Sequence, residues 1–466
     1  MSRPTKQRIH LKKIRQIRNR AHSNDQYDLE NEISLQNQEE LQEEIDLQNE
    51  EDLHDEIDLQ NEEVQCNFNS NEAKHSALEY AFATLASGES YTSSAKFNAH
   101  LNRPFTSKSS FYRAQQTVAN EVERYAKESI EKAQSELPDN ALLSGDGRYS
   151  IRRNSPHCTY DIIDSSSNKI VAFGVADKKS FFHPNETFSK SSNLLESEAM
   201  RRALSQINCK HKVSGFILDG DNKNPKLLQE NNFNSFIFRD PNHLCLCFNR
   251  FLDAQLYEKK KMIEGISDCF RGIRDKVKKW YSFLIHSPLD VQTKRDAWAN
   301  TVSHLIGNHQ NCLYHKPTDY VWEVGLKYEE CAETLYFILL QKIDDFYQVT
   351  YGGSTQSNEA FHKEQLSFCS KDVLYPRSQV TRDYMALLRH NEGPVYELEL
   401  RKRLHLPNLD FNYQVQIENE QEEREGKKIM RRSLPYKKQF NSYRKKKSEM
   451  NKYTKGDYKP SEEEDE

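Results

Sequence analysis

Residues 213–223 read VSGFILDGDNK, an apolar run that stops at two aspartates separated by one glycine. A short apolar run that ends on Gly and Asp is typical of a buried strand. A second segment, ALLSGDGRYS at 141–150, does nearly the same at Asp146. The carboxylates at these two strand ends are either turn-forming residues, as Asp-Gly pairs often are, or parts of a site.

The segment that surrounds these runs alternates between strands and helices. Three strand-like stretches come first, and then helix, strand, helix and strand follow in order: ALLSGDGRYS, CTYDIIDS, KIVAFGVAD, NLLESEAMRRALSQI, VSGFILDG, NPKLLQENN and FNSFIFRD. This β-β-β-α-β-α-β order predicts an α/β domain and resembles the ribonuclease H-like fold, which places one acid on the first strand and another just after the fourth. Here those positions hold Asp146 and Asp219, with Asp221 as an alternative to Asp219.

The first 66 residues divide sharply by charge. Residues 1–26 form a basic arm, which suits phosphate contact, nuclear import or a plain solvated tail. Residues 27–66 form an acidic, Gln/Asn/Glu-rich repeat of twelve residues, marked by Leu35, Leu47 and Leu59. Because this period matches neither a heptad nor a hendecad, we expect a low-complexity linker, with self-association as the alternative.

Residues 72–137 have helical apolar spacing that is broken at SGES and NRPFTS, which predicts three helices. The third follows the N-cap material TSKSS and carries polar side chains in its first turns. A helix-turn-helix module needs such a recognition helix, although small bundles without a DNA role look similar. The predicted DNA contacts are Tyr112, Arg113, Gln115 and Gln116.

Composition limits the remaining choices. No apolar run of about 18 residues exists, and the nine cysteines form no dense framework, so we expect a soluble intracellular protein with reduced thiols. Residues 241–348 read as mostly helical, and 401–466 as a charged, mostly disordered tail whose basic part could contact phosphates and whose tyrosines could stack on bases.

Several words of the sequence, in their order along the chain, resemble the DDE transposases of the Mutator-like and Kolobok-like eukaryotic DNA transposons. They are SGDGRYSIRRNSPHCTYDIID, KIVAFGVADK, VSGFILDGD, RDPNHL and STQSNEAFHKEQL. The resemblance covers residues from about 72 to 375. It implies a ribonuclease H-like core over 141–400, with the helical stretch 241–348 as an insertion before the last catalytic helix.

The resemblance implies a catalytic triad of Asp146, Asp219 and Glu359 that holds two Mg²⁺ or Mn²⁺ ions. Oxygen ligands are what these hard cations prefer, and paired ions can activate an attacking hydroxyl and stabilise the leaving oxygen. The implied reaction is hydrolysis of a phosphodiester at the transposon end, followed by attack of the freed 3′-hydroxyl on target DNA. Competitors for the last position are Glu329, Glu330 and Glu333.

Further residues have weaker assignments. The family commonly places Cys and His ligands after the second acid, which implies a zinc site. Cys245 and His309 belong to the same two Cys/His clusters, in DPNHLCLCF and HQNCLYHK. Ordinary packing of the cysteines is the alternative. The candidate ligands are His243, Cys247, Cys312 and His315. Asp240 and His243 could instead act near the scissile phosphate, and Arg148 and Lys178 are candidate phosphate contacts.

The sequence thus predicts a nuclear DNA transposase that binds transposon ends and target DNA, acts as a homo-oligomer and has no membrane association. The main alternative is a transposase-derived DNA-binding protein without catalytic activity. An interaction protein organised by the twelve-residue repeat, and a nuclease that cuts without strand transfer, remain open as well.

Overall fold

A computed structural model describes residues 70–152, 154–178, 194–219, 224–233, 235–262, 266–305 and 329–432. The basic arm, the twelve-residue repeat, Asp221, and the last 34 residues, 433–466, lie outside this described part. The described residues from Lys74 onward belong to one compact unit.

Three helices come first, as the sequence predicts: α1 (Ser70–Ala86), α2 (Tyr91–His100) and α3 (Lys108–Ser135). Helices α2 and α3 begin at good N-caps, since the Ser90 and Ser107 side chains accept hydrogen bonds from the backbone N–H three residues later. Apolar residues of α1 and α3 share a hydrophobic cluster with helices near the C-terminus, including Phe82, Val118 and Leu387. These helices are therefore packed into the main body of the protein.

A five-stranded mixed sheet lies at the centre, and all five predicted strands are confirmed. They are β1 (Ala141–Tyr149), β2 (His157–Asp164), β3 (Ile170–Asp177), β4 (Val213–Leu218) and β5 (Phe236–Arg239). Their order is β3-β2-β1-β4-β5, with β1 antiparallel to β2, β2 antiparallel to β3, and β1, β4 and β5 parallel.

Two helices connect the later strands, α4 (Leu195–Ser205) and α5 (Asn224–Glu230). The α4 helix buries Ala199, Met200 and Ala203 in a cluster with one face of the sheet. This approach requires a glycine on β3, because a Cβ at Gly174 would lie 1.9 Å from the Ala199 carbonyl oxygen. One face of the sheet is thus sealed by apolar packing.

The stretch after β5 is helical where it is described, as predicted. It contains α6 (Pro241–Met262), α7 (Ile266–His286), α8 (Val291–Ala299), α9 (Thr301–Leu305) and α10 (Glu329–Leu340). These helices bury their own cluster around Phe248, Tyr281 and Trp298, with the Phe248 and Tyr281 rings stacked at 3.9 Å. Because this cluster is separate from those of the sheet, the stretch forms a sub-core of its own.

Four more helices follow: α11 (Gln356–Gln365), α12 (Gln379–Glu392), α13 (Tyr396–Arg403) and α14 (Phe411–Arg432). Helices α11 and α12 lie on the second face of the sheet, where Phe361 and Met385 share a cluster with Phe173 of β3. The expectation of a mostly disordered tail from residue 401 is wrong for α14. Its Ile417 is buried, and Arg424 donates to the Arg389 and His390 carbonyl oxygens at 2.6 Å, so tertiary contacts hold a charged helix in place.

Candidate active site

Asp146 and Asp219 lie side by side, although the predicted strand end at Asp146 is wrong: β1 continues to Tyr149, whereas Asp219 comes directly after β4. Strands β1 and β4 are parallel, and their register pairs Gly145 with Leu218, so that the next residues along the two strands are Asp146 and Asp219. In the antiparallel partner β2, the residue opposite Asp146 is Asp161. Paired residues of neighbouring strands point to the same face of a sheet. The sheet topology therefore gathers acidic side chains at one edge.

The surroundings of the Asp146 carboxyl group disfavour its ionised form. Its pKa is raised to about 7, chiefly by burial, which His362 opposes and the negative charges of Asp161 and Asp219 reinforce. One of its oxygens accepts a hydrogen bond from the Gly147 backbone N–H at 2.8 Å. Ionisation of Asp146 in the folded protein therefore costs free energy.

Asp219 is half-buried just beyond β4. Burial raises its pKa, and the charges of Asp240 and Glu359 add to the rise, while His243 lowers it. The Nδ1 atom of His243, in the first turn of α6, lies 2.5 Å from an Asp219 carboxylate oxygen. A residue of the helical stretch that follows β5 is therefore in direct contact with the acid that follows β4.

Glu359 lies in the first turn of α11 and is exposed. The residue before it, Asn358, is fully buried and docks this turn on the sheet: its Nδ2 donates to the carbonyl oxygens of Ser144 and Asp161 at 3.3 and 3.2 Å, and to an Asp161 carboxylate oxygen at 2.7 Å. These hydrogen bonds hold Glu359 at the same edge of the sheet as Asp219. The negative charge of Glu359 raises the pKa of Asp219.

Asp161 is a residue of this region that the sequence reading missed. It is fully buried, and its second carboxylate oxygen lies 2.7 Å from Nε2 of His362, one turn along α11 from Asn358. The other ring nitrogen of His362 is 3.6 Å from Asp146. Burial opposes a charge on His362, but Asp161 and Asp146 outweigh it and raise the pKa of the imidazole. His362 thus bridges the two facing strand carboxylates.

Asp240 accepts hydrogen bonds at both ends of the helical stretch between β5 and α11. One oxygen accepts hydrogen bonds from the backbone N–H groups of Asn242 and His243 at 2.8 and 2.9 Å, which caps α6. The other accepts from the Thr355 N–H and hydroxyl at 2.8 and 3.0 Å, just before α11. Although burial opposes it, these donors hold the pKa of Asp240 below its ordinary value. Asp240 is a clamp next to the site.

Arg148 does not fit its predicted contact with DNA. It is 2% exposed, donates to the Cys369 carbonyl oxygen at 2.9 Å and lies 3.7 Å from Asp383 of α12. His157 completes this buried group, with its ring between Asp177 and Asp383. The alternation of β1 explains the correction: Arg148 shares the face of Asp146, and this face is covered by α11 and α12 at that point.

The N-terminal residues predicted to read DNA differ in their accessibility. Arg113 and Gln116 are exposed, and Tyr112 is half-buried beneath the guanidinium of Arg377 at 4.6 Å. Gln115 is 7% exposed and donates to the Arg377 carbonyl oxygen at 3.0 Å, which does not fit a contact with DNA bases. The inner face of α3 is therefore used for packing.

The remaining candidates are only partly covered by the described residues. His309, Cys312 and His315 lie in the range 306–328, outside that part, as does Asp221. Cys247 is exposed one turn after His243 on α6, and Cys245 is half-buried. Glu333 of α10 is exposed, and Lys178 is half-buried after β3. The zinc site and these alternatives stay predictions.

The chemistry of the strand-end acids suits a hard divalent cation. Carboxylate oxygens are its preferred ligands. Burial raises the pKa values of Asp146 and Asp219, neighbouring carboxylates add to the rise, and a bound cation would oppose both effects. Among the described residues, however, no group of three or more His, Cys, Asp or Glu side chains is arranged so that it could hold a metal ion. The described carboxylates are thus the right type of ligand for a divalent cation, and they interact with one another in pairs.

A comparison with protein families gives a match to the Mutator-like transposase over residues 58–317, more than half of the chain. The matched range includes Asp146 and Asp219 and ends before Glu359. No curated protein matches the chain. Within the described residues, no helix has the length and apolar character needed to span a membrane. Because the family match covers more than half of its length, the chain belongs to the Mutator-like transposases.

Proposed function

We propose that this protein is an active DNA transposase with a ribonuclease H-like catalytic core, which hydrolyses a phosphodiester at the transposon ends and joins the freed end to target DNA. The observation that carries the proposal is the position of Asp146 and Asp219, each one residue beyond the paired residues Gly145 and Leu218 of two adjacent parallel strands, with Asp161 opposite Asp146. The strand order β3-β2-β1-β4-β5, with only β2 antiparallel to its neighbours, supports the ribonuclease H-like assignment.

Asp146, Asp219 and Glu359 would hold Mg²⁺ or Mn²⁺. Bound there, the cations would supply activation of the attacking oxygen and stabilisation of the leaving oxygen. The protein's own contribution is positioning. Asn358 fixes the turn that carries Glu359, and His243 orients the carboxylate of Asp219.

His362 and Asp240 help to hold these residues in position. His362 links Asp161 to Asp146 and offsets part of the negative charge in the absence of a cation. Asp240 keeps the start of α6, and with it His243, next to the loop that leads into α11. A small displacement of either group would misplace a carboxylate and slow the reaction steeply.

The remaining parts of the proposal concern assembly and location. A basic N-terminal arm and a basic C-terminal segment suit phosphate contact and nuclear import, which a transposase of nuclear DNA requires. We propose that the protein acts in the nucleus as a homo-oligomer, so that two transposon ends are held together. The predicted zinc ligands would stabilise the insertion.

The proposal is tested with purified full-length protein on a duplex that carries the terminal repeat of its element, with Mg²⁺ or Mn²⁺. Asp146→Asn, Asp219→Asn and Glu359→Gln should each lower the cleavage rate at least about a thousandfold, while DNA affinity stays within about threefold. Asp372→Asn removes an exposed carboxylate, 72% accessible, and serves as the matched control.

Cleavage by the Asp146→Asn protein at the wild-type rate would refute the catalytic assignment. Wild-type protein that binds the duplex tightly but never cuts it, with either metal, would identify an inactive DNA-binding derivative instead. Cut ends without joined products in the presence of target DNA would identify a nuclease that lacks strand transfer.

A further inference from the structure

Helix α2 presents a complete face to solvent. Side chains at positions i, i+3, i+4, i+7 and i+8 lie along one stripe of a helix. In α2 these positions are all exposed: Ser93, Lys96, Phe97, His100 and Leu101. Phe97 is 65% and Leu101 48% exposed, and no residue of α2 is buried. Burial of an apolar stripe, the usual source of helix stability, is therefore not what holds α2 in place.

Its ends hold it instead. The Ser90 side chain caps the first turn, and Asn102, at a φ of 51°, ends the helix in the left-handed region. The Asn102 N–H bonds to the Ala99 carbonyl oxygen at 3.0 Å and the Arg103 N–H to that of Asn98 at 2.9 Å, which is a Schellman motif. The exposed face and Arg103 are thus fixed before any ligand binds.

The opposite side of α2 attaches it to its neighbours through polar and aromatic contacts. The Thr84 hydroxyl of α1 donates to the Ser94 hydroxyl at 3.1 Å, and the Tyr91 hydroxyl donates to the Thr106 carbonyl oxygen at 3.2 Å. The Tyr91 ring also lies 5.0 Å from that of Phe111 at the start of α3. The helix therefore stands on the surface of the body as a supported ridge.

The charge of this region is one-sided. The chain has 71 acidic residues in 466, yet none occurs from Ser90 to Asn120. The same stretch carries Lys96, Arg103, Lys108 and Arg113 together with His100. A surface of this composition complements a polyanion. A second copy of the chain would instead meet like charge across this face, and two exposed apolar side chains are too few for a stable interface.

We propose that α2 is the helix that enters the major groove of the transposon end. The inference rests on the proposed function for the identity of the DNA. Lys96 and Arg103 contact phosphates on the two sides of the groove, and Phe97 packs against a thymine methyl group, the type of apolar contact by which base edges are read. Arg113 and Gln116 would provide flanking contacts, since they are exposed near the start of α3, where the Phe111 and Tyr112 rings contact Tyr91 of α2.

The sequence pattern favoured α3 as the reading helix, but the structure favours α2. Four residues in the first three turns of α3 are buried: Phe111, Gln115, Val118 and Ala119. A groove about 12 Å wide admits a helix only if one whole face of it is accessible. Of the three helices before the sheet, α2 is the one in which no described side chain is buried.

The test measures affinity of the full-length protein for a duplex with the element's terminal repeat, in EDTA so that cleavage plays no part. Lys96→Ala and Arg103→Ala should each weaken binding about tenfold and reduce the slope of log K against log salt by about 0.9. The matched control is Lys127→Ala, which removes a 62% exposed lysine from the far half of α3 and should leave both quantities unchanged.

Phe97 is tested through the DNA as well as the protein. Replacing thymines of the repeat one at a time by uracil removes only the methyl group. At one position the wild-type protein should lose about fivefold in affinity, and the Phe97→Ala protein should show the same weakened affinity with either base. This loss of sensitivity would not follow from a merely structural role of Phe97.

Unchanged affinity and salt slope in Lys96→Ala and Arg103→Ala would overturn the proposal. So would a Phe97→Ala, Leu101→Ala double variant that changes the oligomeric mass in light scattering but binds DNA normally, since α2 would then face another copy. Because Asp146→Asn should bind like wild type in EDTA, failure of the catalytic assignment and failure of this inference give different results.

Discussion

Two histidines on one face of the sheet each lie between two carboxylates, and their surroundings differ. His157 lies between Asp177 and Asp383, with all three side chains at least four-fifths buried. His362 lies between Asp146 and Asp161 at the edge of the same face. The first group we call the buried network, and the second, together with Asp219 and Glu359, the acidic edge.

The buried network also contains Arg148, and its charges are balanced. Although burial opposes a charge on His157, the two carboxylates raise its pKa to about 10. Burial opposes ionisation of Asp383 too, yet His157 and Arg148 hold the pKa of this carboxyl below its ordinary value. Each charge in this group is stabilised by a partner of opposite sign.

The acidic edge has more carboxylates than imidazoles, and the pKa values of Asp146 and Asp219 are raised there, chiefly by burial and further by neighbouring carboxylates. The same residue types thus give opposite results in two places on one sheet face. Where helices cover the face completely, cations and carboxylates are matched, because an unmatched buried charge is costly. Where the face opens, the mismatch remains, as is common for sites that bind an additional charged group.

The largest effect on stability should come from breaking the balanced group. Asp383→Asn leaves the guanidinium of Arg148 without its carboxylate partner in the interior and leaves the imidazolium of His157 with Asp177 alone. We expect a loss of about 3–5 kcal/mol in the free energy of unfolding at pH 7, measured by urea titration. Asp372→Asn at the surface is the control and should change little. A similarly small change in Asp383→Asn would mean that the network contributes no net stability.

The acidic edge should respond in the opposite direction. Since the pKa of Asp146 is raised to about 7 in the folded protein, its ionisation destabilises the fold as pH rises from about 4 to about 7. Asp146→Asn removes this penalty, which corresponds to at most about 4 kcal/mol. We therefore expect a variant that does not cut DNA and yet is more stable than wild type at pH 8, with the difference shrinking towards pH 4.

Urea titrations of both proteins across this pH range measure the difference directly. The window also separates the two groups, because the stabilisation from His157 is complete below about 6.5 and is lost as pH rises towards about 10. A stability gain in Asp146→Asn that is the same at pH 4 and pH 8 would show that its cause is packing instead of charge.

The smallest of the three effects concerns added metal. Divalent cations at the acidic edge should raise the melting temperature of wild-type protein by a few degrees, since saturation at about a hundred times Kd corresponds to about 2.7 kcal/mol. Asp146→Asn and Asp219→Asn should lose most of this response, whereas Asp383→Asn, though destabilised, should keep it. Equal responses in all three variants would place metal binding elsewhere on the protein.

The sequence was informative where local patterns decide structure. Apolar runs and turn residues predicted strands that end at Asp146 and Asp219. The second prediction is confirmed, whereas β1 continues past Asp146 to Tyr149, and the parallel pairing of β1 with β4 brings the two aspartates together. Glu359 came from resemblance alone, because nothing local distinguishes it from Glu333. The three N-terminal helices were also predicted, but not which of them faces solvent.

What the sequence did not reveal depends on contacts between distant residues. Asp161 reads as one polar position in a buried strand, and its partners Asn358 and His362 lie about 200 residues later. Arg148 was assigned to the surface, although its spacing of two from Asp146 was a usable signal that both share one face. Helix α14 was missed because Ile417 and Arg424 gain their stabilising contacts only in the folded protein.

The Asp240 clamp has a consequence for how the fold tolerates variation. The chain leaves the sheet at Asp240 and returns at Thr355, and one carboxylate bonds to both points across a separation of 115 residues. The Asp240 carboxylate therefore holds together the two ends of the segment between these points. We expect that this segment can lengthen, shorten or be exchanged for another helical module. The geometry at the base of α11 is preserved as long as the hydrogen bonds of Asp240 remain.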